Sequence, residues 1–530
     1  MFLIEKTIFD IQAKGKIDGF QLQNDLSRWF YKELLPDVEI LFNQYDSKEN
    51  TIEIPKLEVE INTFDIENLT ALKAQLLTAL EEALKQSKIK TITSNQYNIN
   101  TNNNTQNANN ELVIYKNNIK NTYFNLWLHF MEHGTMPSSS LAIEEDKMLL
   151  AVAEIIALDA NAEGRVRYLF SQKKEAIQRF IYQHEEPFLS RILGVFLRQK
   201  LSMLSTWRKA ILTQIARSKS SKIFTDEYKA TIEKAEQQYS KTKFWTIIFE
   251  KILIQNNTVS NAETLFFMPL EMLIAQEAQT SKQQLNTRDF ETNFYAQIIE
   301  NQWFENNFSS GKILEKYLNK KYAAHKKTSK VSKKTIAENA ISKEKESPIN
   351  DDIKRKFETQ NPENQYYIKN AGIVIVHAFL PSFYENIGLL NPQKQFLDEH
   401  AQQCAIQWIE HLATGEEQLP EYRLLLSKIL CGLPLDIPLE RDIIFSDNDK
   451  TEAQNLLEAI IEHWTIIGKT SIESLRQTFF HRDGKLSHDD KGWLLQVEQR
   501  TEDILLSRLP WGISMIKLPF MKEMLRVEWI

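Results

Sequence analysis

The amino-acid sequence predicts a mainly α-helical protein with a small α/β unit at its N-terminus. Over most of the chain, apolar residues recur three and four positions apart, as in RYLFSQKKEAIQRFIYQ, and this spacing is typical of amphipathic helices. Two segments interrupt the pattern, one rich in asparagine and one rich in lysine. We therefore expect three folded regions joined by two disordered linkers.

The predicted regions are a small α/β domain, an asparagine-rich linker, a helical middle region, a lysine-rich linker and an all-helical C-terminal domain. At 530 residues the chain is too long for one ordinary hydrophobic core, which agrees with several domains. No repeat of fixed period is found, so a regular solenoid is not indicated. The predicted boundaries are residues 1–90, 91–111, 112–322, 323–362 and 363–530.

The N-terminal unit is predicted to have the element order β-α-α-β-α. Loosely alternating β-branched and aromatic residues indicate the first strand, and Leu57, Val59 and Ile61 alternate with glutamates in the second. Helical spacing indicates the other elements, and Pro36 either ends the first helix or starts the next. The predicted elements cover residues 2–11, 20–42 (two helices), 51–61 and 69–84.

The two linkers are predicted from composition, because neither has enough apolar side chains to offset the entropy of ordering. Residues 93–110 are dominated by asparagine and threonine, and a plain spacer is favoured over an aggregation-prone tract. The second segment is rich in lysine and short of aromatic residues. That composition favours a solvated tether over a phosphate-binding tail.

The C-terminal domain is predicted to bury the apolar segment LPWGISMIKLPFMKEMLRVEWI, residues 509–530. Chain ends usually fray, so an apolar end has to be covered by its own domain or by a partner. Trp464, Trp493, Trp511 and Trp529 each need a large buried area, and we expect the tail to close the domain core.

Two apolar stripes and one helix start are also predicted in this domain. The sequence Thr470-Ser471-Ile472-Glu473 fits a capping box, in which the hydroxyl accepts a backbone N–H and the glutamate reaches back. The stripes consist of Leu397, Ala401, Cys404, Ala405, Trp408 and Leu412, and of Leu456, Leu457, Ile460, Ile461 and Trp464.

The overall composition is that of a globular protein without a strong electrostatic preference. A net charge of −7 and a pI near 5.9 give no general attraction to nucleic acid or to anionic membranes. Cys404 and Cys431 are expected to be small apolar core residues in a reducing compartment. Neither a signal peptide nor a membrane span is predicted, so we expect the protein to be made in the cytoplasm.

Two histidine pairs are candidate metal ligands. His129 and His133 lie one helical turn apart, but no third ligand is apparent and the HExxH motif is absent. The stretch FHRDGKLSHDD contains His481 and His488 together with Asp483, Asp489 and Asp490. Asp483-Gly484 is a turn signal, and we expect the aspartates to cap a following helix.

A third acidic cluster resembles a calcium loop. Asp447, Asp449 and Glu458 have plausible offsets, but Glu452 stands where the loop needs glycine, so a helix N-cap is favoured. The sequence also has no GxGxxG, P-loop, GxSxG or CxxC motif. We therefore predict an assembly protein that is not an enzyme and that has no metal and no cofactor.

The C-terminal domain resembles that of the tape measure proteins of contractile injection systems, the phage-tail-like particles that include antifeeding prophages. The unusual words KILCG, LPWGIS and VEW, in this order, make the resemblance specific. WLHFMEHGTMPSSS is similar to an internal stretch of the family, with Ser138 where tryptophan is common, and PKLEVEI fits the family's opening region. The matching C-terminal segments are Asn370 to Leu390, His411 to Leu439, Ile460 to Leu486 and Trp493 to Trp529.

The resemblance implies a structural role inside the particle. The family member occupies the lumen of the growing inner tube and fixes its length, with one end at the baseplate and spike and the other at the capping end. The implied partners are the inner-tube protein, baseplate and spike components, a tube-capping protein and further copies of the chain, without nucleic acid or membrane. After assembly in the cytoplasm, the protein is expected inside the tube.

The candidate residues for partner docking lie in the C-terminal domain. They are Trp464, Trp493, Leu509, Pro510, Trp511, Gly512, Pro519 and Trp529. A ruler favours a long helix, whereas the middle region here is broken by glycine and proline. Either this region extends on threading, or the protein is an assembly adaptor or chaperone at one end of the particle. A metal-dependent effector carried as cargo is a further alternative, in which His481 and His488 would act.

Overall fold

The computed structural model describes residues 4, 7–11, 19–45, 50–54, 56–61, 68–86, 88–91, 113–137, 144–219, 236–253, 262, 264–266, 268–269 and 365–529. The predicted linkers lie outside these residues except for residue 91, and so does the predicted middle region from residue 270 to 322. The chain is mostly helical, as predicted. It divides into two compact units, Met1–Val166 with Thr359–Ile530, and Arg167–Glu358.

The described helices of the first half of the chain are short. They span Gly19–Trp29 (α1), Leu35–Asn43 (α2), Leu69–Gln86 (α3), Ile119–His133 (α4), Glu145–Leu158 (α5), Ala160–Gln172 (α6), Lys174–Gln183 (α7), Glu186–Leu197 (α8), Leu204–Lys219 (α9) and Lys241–Leu253 (α10). A π-helical turn, Phe30–Leu34, joins α1 to α2, and Pro36 lies at the start of α2. A proline there needs no N–H partner, so Pro36 starts the second helix.

A three-stranded sheet accompanies the N-terminal helices. Its strands are Asn50–Glu53 (β1), Lys88–Thr91 (β2) and Val113–Asn118 (β3), in the order β1-β3-β2. β3 is antiparallel to β1 and parallel to β2. The sequence predicted helix from residue 112 onwards, which is wrong for β3. β-branched and aromatic residues at its start, VIY, favour a strand once β1 and β2 provide partners on both sides.

The two predicted N-terminal strands are not formed as expected. The described residues between 4 and 11 form no strand, because they pair with no other segment; Ile11 packs against the α1–α3 cluster and Phe9 meets the ring of Phe30 at 5.6 Å. In the second strand only residues 50–53 pair, whereas the alternating residues 57–61 do not. Ile61 instead packs against the same cluster. Alternating apolar and charged residues indicate a half-buried extended segment, but they do not provide a neighbouring strand for it to pair with.

The second unit has a core rich in aromatic side chains. Glu186, at the start of α8, accepts hydrogen bonds from Arg208 Nε at 2.7 Å and from the indole nitrogen of Trp245 at 3.2 Å. Phe180 packs edge-on to Phe249 with ring centroids 5.3 Å apart. These contacts tie α7, α8, α9 and α10 together around one buried ion pair.

The C-terminal part contains helices and short helical turns. The α-helices are Leu380–Asn386 (α11), Glu399–Thr414 (α12), Leu425–Leu430 (α13), Asp447–His463 (α14) and Ile472–Leu475 (α15). The 3₁₀ turns are Ala371–Ala378, Glu421–Arg423, Thr465–Ile467 and Thr501–Arg508, and a π-helical turn covers Arg476–Phe480.

A five-stranded sheet lies in the same part, so the prediction of an all-helical C-terminal domain is wrong. Its strands are Gln365–Ile368 (β4), Gly484–Asp489 (β5), Gly492–Val497 (β6), Met515–Ile516 (β7) and Leu525–Glu528 (β8). The order is β4-β5-β6-β8-β7, and β6 and β8 form the parallel pair. GKLSHD and GWLLQV flank a two-residue turn, Asp490 and Lys491, and Gly492, which follows the turn, has a φ of +99°. This is a hairpin pattern that the helical interpretation overlooked.

One large core unites the helices and the sheet of the C-terminal part. The predicted stripe on α12 is confirmed for its buried members, whereas Leu397 precedes the helix and is 60% exposed. At the start of α15, Ser471 Oγ accepts the N–H of Ser474 at 3.1 Å. The hydroxyl cap is therefore present, but the predicted capping box is wrong, because Ser474 and not Glu473 occupies the third helical position.

Candidate docking surface of the C-terminal domain

The apolar tail is buried in its own domain. β8 pairs on one side with β6, where Leu525 is opposite Trp493 and Val527 opposite Leu495, and on the other side with the two-residue strand β7. The prediction that the tail closes this core is confirmed. The buried tail residues are Ile513, Ile516, Leu518, Met521, Leu525, Val527 and Trp529.

The four tryptophans differ in how deeply they are buried. Trp464 and Trp529 are fully enclosed, and their indole N–H groups donate to the carbonyl of Leu505 at 3.3 Å and to Asp503 Oδ2 at 3.2 Å. Trp511 and Trp493 are half-buried, and the Trp511 N–H donates to the carbonyl of Ile375 at 2.9 Å. Each indole nitrogen named here has a partner, as a buried indole requires.

A buried ion pair anchors the end of the tail. Arg482, which is 0% exposed, donates from Nη2 to Asp503 Oδ1 at 2.8 Å and from Nε to the carbonyl of Thr478 at 2.7 Å. Its guanidinium carbon lies 5.9 Å from the ring centre of Trp529. Asp503 Oδ2 also accepts the backbone N–H of Arg500 at 2.8 Å. No local sequence pattern indicates this pair, because its two members are 21 residues apart in the chain.

Only part of the predicted docking set is accessible. Pro510, Gly512 and Pro519 are exposed, Leu509 and Trp511 are half-buried, and a Cβ on Gly512 would meet nothing within 4 Å. Ile504 and Met515, in the elements just before and after this stretch, are 77% and 70% exposed. The accessible members of the predicted set are therefore apolar or lack a side chain, whereas Trp464 and Trp529 lie in the core.

An open cleft that sequence reasoning missed lies between the end of α14 and the start of α15. It has a volume of about 730 Å³. Glu458, Glu462 and Glu473 line it together with Lys469 and the apolar Ile461. The Thr465–Ile467 turn joins the two helices here. The cleft depends on how the helices pack, so no local sequence pattern predicts it.

The structure separates the candidate metal ligands of the FHRDGKLSHDD stretch. His481 Nε2 lies 3.0 Å from the carbonyl of Ala413, and His488 Nε2 lies 2.6 Å from Glu523 Oε2. Along the extended chain of β5, the four steps from Gly484 to His488 already cover about 13 Å. The ring nitrogens of the two histidines contact different groups, one on α12 and one between β7 and β8. The predicted turn and helix cap at this place are wrong, because the segment forms β5.

The other candidates have structural contacts. The ring centroids of His129 and His133 lie 4.5 Å apart on α4, with the ring planes tilted by 43°. Ser446 Oγ accepts the N–H of Asp449 at 3.1 Å, which confirms a helix N-cap at the start of α14. Cys431 is buried and Cys404 half-buried, and both are free thiols. Within the residues that the structure describes, no group of three or more histidine, cysteine or acidic side chains is arranged to hold a metal ion.

A helix that crosses a membrane has to be both long and apolar. None of the helices that the structure describes has the length together with the apolar character that crossing a bilayer requires.

In the contacts described above, charged side chains hold elements of the fold together. The family model for contractile injection system tape measure proteins matches residues 1–529. The chain therefore belongs to this family, whose members are structural proteins and not a class of enzymes. Membership implies interaction with tube and baseplate components. Searches of curated proteins and of solved structures found no match.

Proposed function

We propose that this chain sets the length of the inner tube from within the tube lumen and that its C-terminal domain docks to the baseplate and spike. The family match carries this proposal, because it extends over both terminal regions and the middle of the chain. The rings of the tube polymerise until the ruler is covered. This role needs reach and docking surfaces, and it needs no bond to be made or broken.

The C-terminal domain supplies a suitable docking surface. Its fold is fixed by one large core and by the Arg482–Asp503 pair, while Pro510, Gly512 and Pro519 remain accessible, as does Ile504. A rigid domain with an apolar exposed stretch can bind a partner without paying much ordering entropy. The partners proposed for the chain are the inner-tube protein, baseplate and spike components, a tube-capping protein and further copies of itself.

In the ruler model, the middle region of the chain has to span most of the length of the inner tube. The described helices α6–α10 have 10 to 16 residues each, and those after Val166 belong to a separate compact unit. A ruler role therefore includes unpacking of this unit when the chain enters the tube. The same compactness favours the second candidate function, an adaptor or chaperone that stays at one end of the particle.

Two deletions of equal size test the ruler. One removes residues 174–197, which contain α7 and α8, and the other removes residues 271–294. Each removes 24 residues, and the helical rise predicts tubes shorter by up to about 36 Å. Combined in one chain, the two deletions are expected to shorten the tube twice as much. Tube length is measured by electron microscopy of purified particles.

The control for these deletions is a variant of wild-type length with the docking surface altered, Gly512→Glu. It is expected to lower the number of particles and to leave the length of those that form unchanged. If both deletions leave tube length unchanged while particles still form, the ruler is excluded and the adaptor is favoured.

A further inference from the structure

The loop between α12 and α13 is a rigid platform on the C-terminal domain. Lys428 is fully buried, and its ammonium group donates to Glu421 Oε1 at 2.7 Å and to the carbonyls of Leu435 at 2.8 Å and Ile437 at 2.7 Å. All three N–H donors of the lysine are thereby used. Because Glu421 begins the Glu421–Arg423 turn, this network fixes the position of the next residue, Tyr422.

An arginine beside this platform binds the first turn of α5. Arg441 donates from Nε to the carbonyl of Gln418 at 2.6 Å, and from Nη1 and Nη2 to the two carboxylate oxygens of Glu145 at 2.5 Å and 3.1 Å. This is a two-pronged contact, which is the strongest geometry for such a pair. Glu145 lies 296 residues before Arg441 in the chain.

An aromatic contact adds to the ion pair. The ring of Phe130 on α4 meets the ring of Tyr422 edge-on, with centroids 5.2 Å apart and planes at 89°. Phe130 is buried, together with its neighbours Trp127 and Met131. Burial, and to a lesser degree the nearby carboxylate of Glu145, raise the pKa of Tyr422, which agrees with a contact that excludes water.

We propose that the α4–α5 pair and the C-terminal domain stay together as one body in the assembled particle, at a single end of the tube. This inference rests on the proposed function. Separation would expose Phe130 and Tyr422 to water and would remove the carboxylate that Arg441 is positioned to bind. The segment between the two parts, residues 167–358, then leaves this body and returns to it. In this arrangement residues 167–358, and not a chain end, contact the far end of the tube.

Cross-linking of assembled particles tests this arrangement. Glu145→Cys and Arg441→Cys are combined in a Cys404→Ser background, because Cys431 is buried and Cys404 only half-buried. A short bis-maleimide is applied to the free protein and to purified particles, and linked peptides are identified by mass spectrometry. We expect the link to form to the same extent in both samples. Mixing isotope-labelled and unlabelled chains separates links within a chain from links between copies.

The matched control is Lys120→Cys with Glu154→Cys in the same background. These two residues form an ion pair between α4 and α5, with Nζ and Oε1 2.7 Å apart, so this link forms whether or not the C-terminal domain separates. If particles give the control link but not the link between residues 145 and 441, the inference is overturned.

Charge reversal provides a second measurement in case the cysteines weaken the contact. Glu145→Arg and Arg441→Glu each place like charges together, and we expect each alone to lower the yield of particles with normal tube length. The two changes combined restore opposite charges and are expected to recover that yield. If the single changes do not lower this yield, or if the double change does not recover it, the inference is contradicted.

The deletion series separates this inference from the proposed function. With both parts held at one end, the middle segment runs up the tube and back, so 24 helical residues shorten the tube by about 18 Å instead of about 36 Å. No change in length excludes the ruler, whatever the cross-link shows. Shortening without the cross-link excludes only the single-ended arrangement.

Discussion

Glu410 is a carboxylic acid inside the C-terminal core. Its Oε1 accepts the hydroxyl of Ser427 at 2.9 Å and its Oε2 accepts the amide of Asn370 at 2.8 Å. Burial raises the pKa of Glu410 to about 7, and the two hydrogen bonds only partly oppose this effect. Sequence reasoning missed this residue, because a glutamate in the helical stretch QWIEHL is typical of a solvent-facing position.

The raised pKa makes the stability of the domain depend on pH. The folded state holds its proton up to about pH 7, whereas the unfolded chain releases it near 4.5, so stability falls as the pH rises through this window. The loss amounts to at most about 3 kcal/mol. We expect Glu410→Gln to raise the unfolding free energy at about pH 8 and to flatten its dependence on pH, measured by urea unfolding with tryptophan fluorescence.

Glu458→Gln serves as the control, because Glu458 is exposed and its Oε1 accepts a hydrogen bond from the amide of Gln454 at 2.8 Å, away from Glu410. This change is expected to leave the pH profile as in the wild type. An equally steep profile in Glu410→Gln would show that another group causes the dependence.

At the scale of elements, the 3₁₀ turn Ala371–Ala378 passes very close to the end of the tail. A Cβ at Gly372 would lie 1.6 Å from the carbonyl oxygen of Phe479 and 2.9 Å from the ring of Trp529. We expect Gly372→Ala to destabilise the domain by about 3 kcal/mol or more, since the backbone of two elements has to move apart. Gly512→Ala, where space is open, is expected to change stability by less than about 0.5 kcal/mol.

Thermal unfolding followed by near-UV circular dichroism measures both variants, since this signal reports the packing of the aromatic core. Equal melting temperatures for the two variants would contradict the packing argument.

The sequence predicted some elements and not others for physical reasons. α3 and α14 follow from apolar spacing alone, because an amphipathic helix satisfies its own backbone hydrogen bonds. A strand needs a partner, and β4 finds it in β5, more than 100 residues away. The burial of the tail's apolar side chains is confirmed, since their apolar area demands burial. The cleft and the Arg482–Asp503 pair depend on the tertiary arrangement and have no local signature.

At the scale of the whole molecule, a metal-dependent activity is a further alternative function, beside the adaptor or chaperone. His481 and His488 contact different groups, Ala413 and Glu523, and the extended chain of β5 separates them. We therefore expect the purified chain to carry no stoichiometric metal, measured by plasma mass spectrometry. His481→Ala combined with His488→Ala is expected to leave particle number and tube length as in the wild type.

If the wild-type chain carries one equivalent of metal and the double variant carries none, the effector is supported instead. Substituting His129 and His133 by alanine provides the comparison, because any metal bound there would be lost only in that second variant.

The position of β8 has a consequence for biosynthesis. This strand lies between β6 and β7, so the sheet has a gap until residues 525–528 have left the ribosome. A chain that lacks residues 525–528 leaves β6 and β7 without the strand that joins them in the sheet. The sheet is therefore completed only after β8 has been synthesised, because β7 pairs with β8 and not with β6.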